Sequence, residues 1–237
     1  MANTSGTTTF NLNLNEIVEE AFERCGAELR TGYDLRTARR SLNLLTMEWA
    51  NRGINLWTIQ EGTIPLVAGQ AEYGMPVDTI DILDHVVRTQ TGQGQTDINI
   101  SRISVDTYAT IPNKNAEGRP IQLWFQRLSG QDVGNDIVQY PTITVWPVPE
   151  QSNYYTLVVW RLRRIQDAGT GVNIQDIPFR FLPCLVAGLA YHLSMKLPNA
   201  LDRSAVLKAQ YEELWQQAAD EDREKAPLRI APRQMFF

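Results

Sequence analysis

The chain has 237 residues, 43% hydrophobic and 21% charged, a composition ordinary for a globular protein with material for one large domain or two small ones. Its formal net charge of -5 is the opposite of the basic surplus that usually marks a nucleic-acid-binding domain. Residues 1–9 carry no charge and no apolar core, which excludes a secretory signal peptide. Residues 1–12 are expected to form a flexible or partner-ordered arm, on a chain made and retained in the cytoplasm.

Residues 13–54 read as two amphipathic helices. Leu14, Ile17, Val18, Ala21, Phe22 and Cys25 recur at i, i+3, i+4 and i+7, with Asn15 available as a cap and Gly26 as a stop. Leu35, Ala38, Leu42, Leu45 and Trp49 follow in near-heptad spacing, with Asp34 as the cap and Gly53 as the stop. The polar face of this second helix carries Arg36, Arg39 and Arg40. These suit a phosphate-binding patch, but a solvated or interface face is the simpler reading.

From residue 55 to 175 the period turns to near-alternation, with turn residues about every ten positions, the pattern of a β-domain. Strands are expected at 56–59, 62–66, 82–89, 97–103, 121–128, 142–146 and 154–164, with a short helix at 105–109 capped by Ser104. Residues 92–95 and 130–135 have the composition of exposed hairpin tips. Pro147 and Pro149 end their strand, because proline lacks the ladder donor.

Residues 176–224 return to two helices, joined at Lys196-Leu197-Pro198-Asn199. The first is apolar on nearly every face around residues 179–193 and must be covered all round. Its uninterrupted apolar run is about a dozen residues, short of the roughly 20 that span a bilayer, so the cover is expected to be protein rather than membrane. Cys25 and Cys184 both fall on apolar helical faces, where a free thiol behaves as a small hydrophobe, so two buried, reduced thiols are expected. The last helix has an apolar stripe of Leu207, Tyr211, Leu214, Trp215 and Ala218. Its opposite side is acidic, with Glu212, Glu213, Asp220, Glu221, Asp222 and Glu224. In the tail, residues 225–237, Lys225, Arg229 and Arg233 alternate with Leu228, Ile230, Met235, Phe236 and Phe237, and Pro227 and Pro232 exclude a regular helix. Fully extended it reaches about 40 Å, at roughly 3.3 Å per residue.

The expected class is therefore α+β: a helical bundle formed by the N- and C-terminal helices, an inserted antiparallel β-barrel or sandwich domain, and an extended C-terminal tail.

No catalytic, cofactor or metal site is expected. His85 and His192 are the only histidines, and neither sits in a nucleophile motif. Asp78, Asp81, Asp84 and His85 have the chemistry of a divalent-metal cluster, yet on a strand Asp84 and His85 point to opposite faces. Gly92-Gln93-Gly94 lacks the rest of a phosphate loop. Trp124-Phe125-Gln126-Arg127 and Trp160-Arg161-Leu162-Arg163-Arg164 suggest a base-stacking platform, but alternation along a half-buried strand explains them as well.

Four stretches together carry a resemblance. Trp49-Ala50-Asn51-Arg52-Gly53-Ile54-Asn55-Leu56-Trp57, then Ile111-Pro112-Asn113-Lys114 with Gly118-Arg119-Pro120, then Thr144-Val145-Trp146-Pro147-Val148-Pro149, and Leu185-Val186-Ala187-Gly188-Leu189-Ala190 resemble the head-to-tail adaptor proteins of short-tailed phages. These are also called tail tubular or packaged-DNA stabilisation proteins. The resemblance spans about residues 12–232. It implies a structural virion protein, not an enzyme, with twelve copies in a ring beneath the portal. The ring would extend the DNA channel, retain packaged DNA and carry the tail nozzle, with double-stranded DNA passing through without specific binding.

On that resemblance Leu228, Arg229, Ile230, Arg233, Met235, Phe236 and Phe237 become a portal-docking tail. Phe181, Leu185, Leu189, Tyr191, Leu214 and Trp215 become a bundle or ring interface. Glu212, Glu213, Asp220 and Glu221 become candidates to line the lumen, where carboxylates would repel the DNA backbone, although a solvated outer face suits them equally. A carbohydrate-binding or glycan-cleaving tail component, suggested by the aromatic-rich β-domain, and another ring of the tail, such as a nozzle or baseplate protein, are the alternatives.

Overall fold

The computed structural model describes residues 4–30, 32–53, 55–90, 94–128, 140–223 and 225. The chain divides into two compact units, one from Met1–Leu56 with Gln166–Phe237 and the other from Trp57–Ile165.

In the first unit, helix α1 (Leu14–Cys25) buries Leu14, Ile17, Val18, Ala21, Phe22 and Cys25. Its cap is Asn13, not Asn15. The Asn13 side-chain oxygen accepts from the Glu16 N–H at 3.1 Å, and the Glu16 carboxylate accepts from the Asn13 N–H at 2.8 Å. Only Asn13 has an acid three residues on to close this reciprocal box; from Asn15 the same position is Val18. Gly26 stops the helix in the left-handed region, at φ 73°, which glycine adopts without a Cβ penalty.

Helix α2 (Gly32–Arg52) starts two residues before the expected cap, so Asp34 lies within its first turn, where a carboxylate complements the helix dipole. It buries Ala38, Leu42, Leu45 and Trp49. Helices α4 (Leu182–Ser194) and α5 (Ser204–Glu221) complete the unit, each entered through a short 3-10 turn, Phe179–Phe181 and Leu201–Arg203. Helix α4 is the centre. It packs against α1, α2 and α5, and Leu182, Cys184 to Ala190, Leu193 and Ser194 are all buried.

Gly188 is the tightest point of that packing. A Cβ there would stand 2.9 Å from both a Leu45 methyl on α2 and the Tyr211 ring on α5, and both side chains are fully buried. Cys25 and Cys184 are free and buried, and the Cys25 thiol donates to the Ala190 carbonyl at 3.2 Å. Burial pushes the Cys25 thiol up to about 11 and the Cys184 thiol up to about 12, so neither is a reactive thiolate near neutral pH.

The second unit has two four-stranded sheets. Strands β1 (Ile59–Pro65), β3 (Thr79–Thr89), β4 (Thr96–Asn99) and β8 (Tyr155–Arg163) form one in the order β1-β8-β3-β4. Strands β2 (Glu72–Gly74), β5 (Ser101–Arg102), β6 (Gln122–Gln126) and β7 (Thr142–Trp146) form the other in the order β2-β7-β6-β5. Both sheets contribute to one core that includes Tyr73, Ile82, Val87, Leu123, Phe125, Ile143, Val145, Leu157 and Val159. This is a sandwich-like arrangement, and no closed barrel is formed among the described residues.

The expected strand over 97–103 is broken, because the chain leaves the first sheet after Asn99 and enters the second at Ser101, with Ile100 packed on the core between them. Helix α3 (Val105–Ala109), capped by Ser104 as expected, carries the chain from β5 to β6, and a crossover of this kind lets β5 and β6 pair in parallel, unlike the other strand pairs among the described residues. Residues 56–58 form a 3-10 turn in place of a strand, and three-residue β2 was not expected at all.

Gly188→Val is expected to destabilise the helical unit by about 1–3 kcal/mol through overpacking against Leu45 and Tyr211. Gly188→Ala should cost less, since alanine recovers roughly 1 kcal/mol of helix propensity. Urea unfolding followed by helical circular dichroism measures both, and an unchanged midpoint for the valine variant would show that the two neighbours can yield.

Candidate assembly surfaces

The face of α2 that meets α4 and α5 places Glu48, Trp49 and Arg52 within one turn, and α5 answers with Tyr211, Glu212 and Trp215 at the same spacing. The buried Trp49 indole N–H donates to the Tyr211 hydroxyl at 2.9 Å, and that hydroxyl donates to Glu48 at 3.2 Å. Arg52 donates to Glu48 at 2.9 and 2.6 Å and, through two nitrogens, to both oxygens of Glu212 at 2.8 Å each. Its guanidinium lies over the Tyr211 and Trp215 rings, 4.9 and 5.1 Å from their centroids. Trp49 packs against Trp215 at 5.0 Å and Phe181 at 5.6 Å. His192, at the margin of the cluster, stands 3.3 Å from Glu48.

These groups are mutually engaged. The Arg52 hydrogen bonds hold the Glu212 carboxyl below its usual range, and burial raises the Tyr211 hydroxyl. The cluster is a clamp across three helices. Phe181, Leu185 and Leu189 are fully buried inside this one unit, while Tyr191, Leu214 and Trp215 are half-buried at its margin.

Asp222 makes a second clamp. It was expected on the acidic outer face but is buried, because its carboxylate accepts from the Leu56 N–H at 3.0 Å and from the Arg180 guanidinium. The end of α5 is thereby tied to the 3-10 turn leading into α4 and to the chain at Leu56. Of the other acidic residues, Glu212 is held by Arg52, Asp220 pairs with Arg223 at 2.5 Å and Glu221 pairs with Lys225 at 2.5 Å, while Glu213 accepts from the Gln217 amide at 3.3 Å. All four are exposed, on a face of mixed rather than purely negative charge. The expected tail residues Leu228, Arg229, Ile230, Arg233, Met235, Phe236 and Phe237 lie outside the described residues, as do residues 91–93 and 129–139, where the two hairpin tips were expected.

Two surfaces of the helical unit remain open. A groove of about 1010 Å³ runs between residues 8–12, the outer side of α1 and the start of α4. Its apolar wall includes Phe10 and Phe179, 78% and 77% exposed, and its rim carries Glu16, Glu19, Glu20 and Glu23. On α2, Tyr33, Arg36, Arg40, Leu44, Met47 and Asn51 form an exposed stripe at three- and four-residue spacing.

In the β-unit the candidate metal residues are dispersed among other partners. Asp78 pairs with Arg161 at 2.6 Å, Asp81 pairs with Arg102 at 2.8 Å and with Arg127, and Asp84 accepts from the His85 N–H at 2.8 Å. Burial lowers the His85 imidazole. No group of three potential metal ligands occurs among the described residues. Arg161, expected simply as one side of an alternating strand, is buried and also donates to the Thr79 hydroxyl at 2.9 Å and to Gln60 at 2.5 Å. Trp124 stacks on Tyr108 at 5.0 Å, which occupies one of its faces.

The architecture is therefore a helical unit built from segments on both sides of an inserted β-sandwich, with exposed apolar surface on the helical unit. The chain belongs to the SU10 adaptor protein family, whose model matches residues 12–231. It is a phage head-to-tail adaptor and a structural component of the virion. No curated protein matches the chain significantly. No helix among the described residues is long and apolar enough to cross a membrane.

Tyr211→Phe is expected to cost about 1–3 kcal/mol, because it leaves the buried Trp49 N–H without an acceptor. The Glu212 carboxyl titrates lower in the folded chain than in the unfolded one, so its contribution is present above the unfolded value and is lost as pH falls through the folded one. Glu212→Gln should therefore flatten the acid limb of a stability–pH profile from thermal melts, and only slightly, since the carboxylate is half-exposed. A Tyr211→Phe melt equal to that of the parent would remove the clamp from the account.

Proposed function

We propose that the chain is the ring-forming adaptor between portal and tail nozzle, present in twelve copies that extend the DNA channel and retain packaged DNA. The observation that carries this reading, beyond family membership, is the large apolar area left open on the helical unit although its core is complete. Phe10, Tyr33 and Phe179 are each more than two-thirds exposed while α4 is already covered. Open apolar surface of this extent, rimmed by charge, marks protein contact.

The mixed-charge face of α5 supports passage of DNA without specific binding, since its carboxylates are largely matched by Arg52, Arg223 and Lys225. Residues 227–237 serve as the portal anchor. Their apolar and cationic side chains suit docking into an apolar groove with an acidic margin, and the end of α5 that precedes them in the sequence is fixed by Asp222.

The test is native mass spectrometry and electron microscopy of the chain mixed with its portal. A twelve-copy ring seated on the portal is expected, and absence of binding at micromolar concentration would overturn the proposal. Deleting residues 227–237 should abolish attachment while leaving the circular dichroism spectrum and melting temperature unchanged. A truncated chain that still attaches would remove the tail from this role.

A further inference from the structure

We infer that the exposed stripe of α2 in one copy seats in the acidic-rimmed groove of the next copy, and that this head-to-tail contact anchors the ring. The inference rests on the ring reading above and assigns its interface. The α2 residues that pack inward, Ala38, Leu42, Leu45 and Trp49, lie two positions from Arg36, Arg40, Leu44, Met47 and Asn51. At 100° per residue the stripe therefore faces away from α4. It alternates apolar side chains, Tyr33 at 68% exposure and Leu44 at 52%, with the guanidinium groups of Arg36 and Arg40. Neither arginine has a carboxylate partner among the described residues.

The groove has the complementary chemistry. Its apolar wall holds Phe10, Phe179 and Pro183, and at its rim Glu20 is already paired with Arg24 at 2.9 Å while Glu16 closes the α1 cap. Glu19 and Glu23 are exposed and have no cationic partner among the described residues. A groove facing a groove sets acid against acid, and a stripe facing a stripe sets arginine against arginine, which disfavours a two-fold contact centred on either patch. Stripe against groove sets Arg36 and Arg40 against Glu19 and Glu23, and apolar side chains against apolar side chains. With one stripe–groove contact between each pair of neighbours the contact is heterologous, and it forms a ring where its rotation closes. The stripe, residues 33–51, is about 27 Å long and roughly 10 Å wide. That supplies about a third of the ~800 Å² per side of a standard interface, so it is the register-setting part of a larger contact.

The test uses two full-length variants: Arg36→Glu with Arg40→Glu, and Glu19→Lys with Glu23→Lys. In each, stripe and groove carry the same sign. Each alone should lose the ring completely, under the conditions, with or without portal, in which the parent chain assembles, while keeping the parent's circular dichroism and melting temperature. An equimolar mixture should restore the ring, with the two variants in 1:1 ratio by native mass, because each stripe now meets an opposite groove. Oxidation of a mixture of Leu44→Cys and Phe179→Cys chains should give a mixed disulfide dimer in excess of either homodimer. That readout stands even if a charge variant misfolds. Charge variants that each form rings alone, a folded mixture that stays monomeric, or random cross-linking would overturn the interface and leave the ring reading intact. A parent chain that never assembles, even on portal, would overturn both.

Discussion

The fold depends on enclosing α4. A helix with apolar side chains on nearly every face gains stability only where each face meets another apolar surface, and exposing any one of them forfeits roughly 25 cal/mol per Å². Two sides are closed by α2 and α5, which approach so near that only glycine fits at residue 188, and the third is closed by α1. Helices from opposite ends of the chain must therefore meet around α4 before any of them is stable. This explains why the β-unit is an excursion between two bundle halves rather than a terminal domain. The chain is also pinned on either side of the excursion, where the Leu56 N–H donates to Asp222 and the Ala168 N–H donates to Asn43.

Charge follows a division of labour. Where helices of the same copy meet, charges are matched at hydrogen-bond distance: Arg52 with Glu48 and Glu212, and Arg180 with Asp222. A desolvated charge without a partner would cost more than the packing returns. The outer sides of α1 and α2 instead leave Glu19, Glu23, Arg36 and Arg40 unmatched among the described residues, on surfaces that also carry exposed aromatic rings. Such charges cost little while solvated, and they acquire value when another surface presents the opposite sign, chiefly by fixing register and excluding wrong pairings.

The helices were legible in the sequence because their apolar spacing is regular; the residues read as the inward faces of α1 and α2 are largely those that the structure buries. The details that escaped depend on what lies across space. Asn13 and Asn15 are equivalent until the reciprocal role of Glu16 is weighed, and that signal was present three residues downstream. Asp222 looks like one more acid on an acidic helix, and only the folded chain shows Arg180 and Leu56 beside it. Arg161 likewise lies on a strand whose alternation reads correctly, yet its burial goes with partners from elsewhere in the chain, Gln60 on β1, Thr79 on β3 and Asp78 in the turn before β3. The sandwich was legible as a β-domain, while the change of sheet at Ile100 was not, since one isoleucine in a strand-like run carries no local mark of it.

The surfaces that matter for assembly were the least legible, for a physical reason. Core positions announce themselves through periodicity because one helix must satisfy one partner, whereas the groove is composed of Phe10 from an irregular arm, carboxylates from α1, and Phe179 and Pro183 from the turn into α4. None of the three segments has a pattern that points to the others. The arginines of α2 were readable only as a solvated or interface face, because without the groove they had no counterpart. On the ring proposal this separation has a use: if copies fold before they meet, the contacts that close each subunit are matched, buried groups, and those left for assembly are tolerable in water.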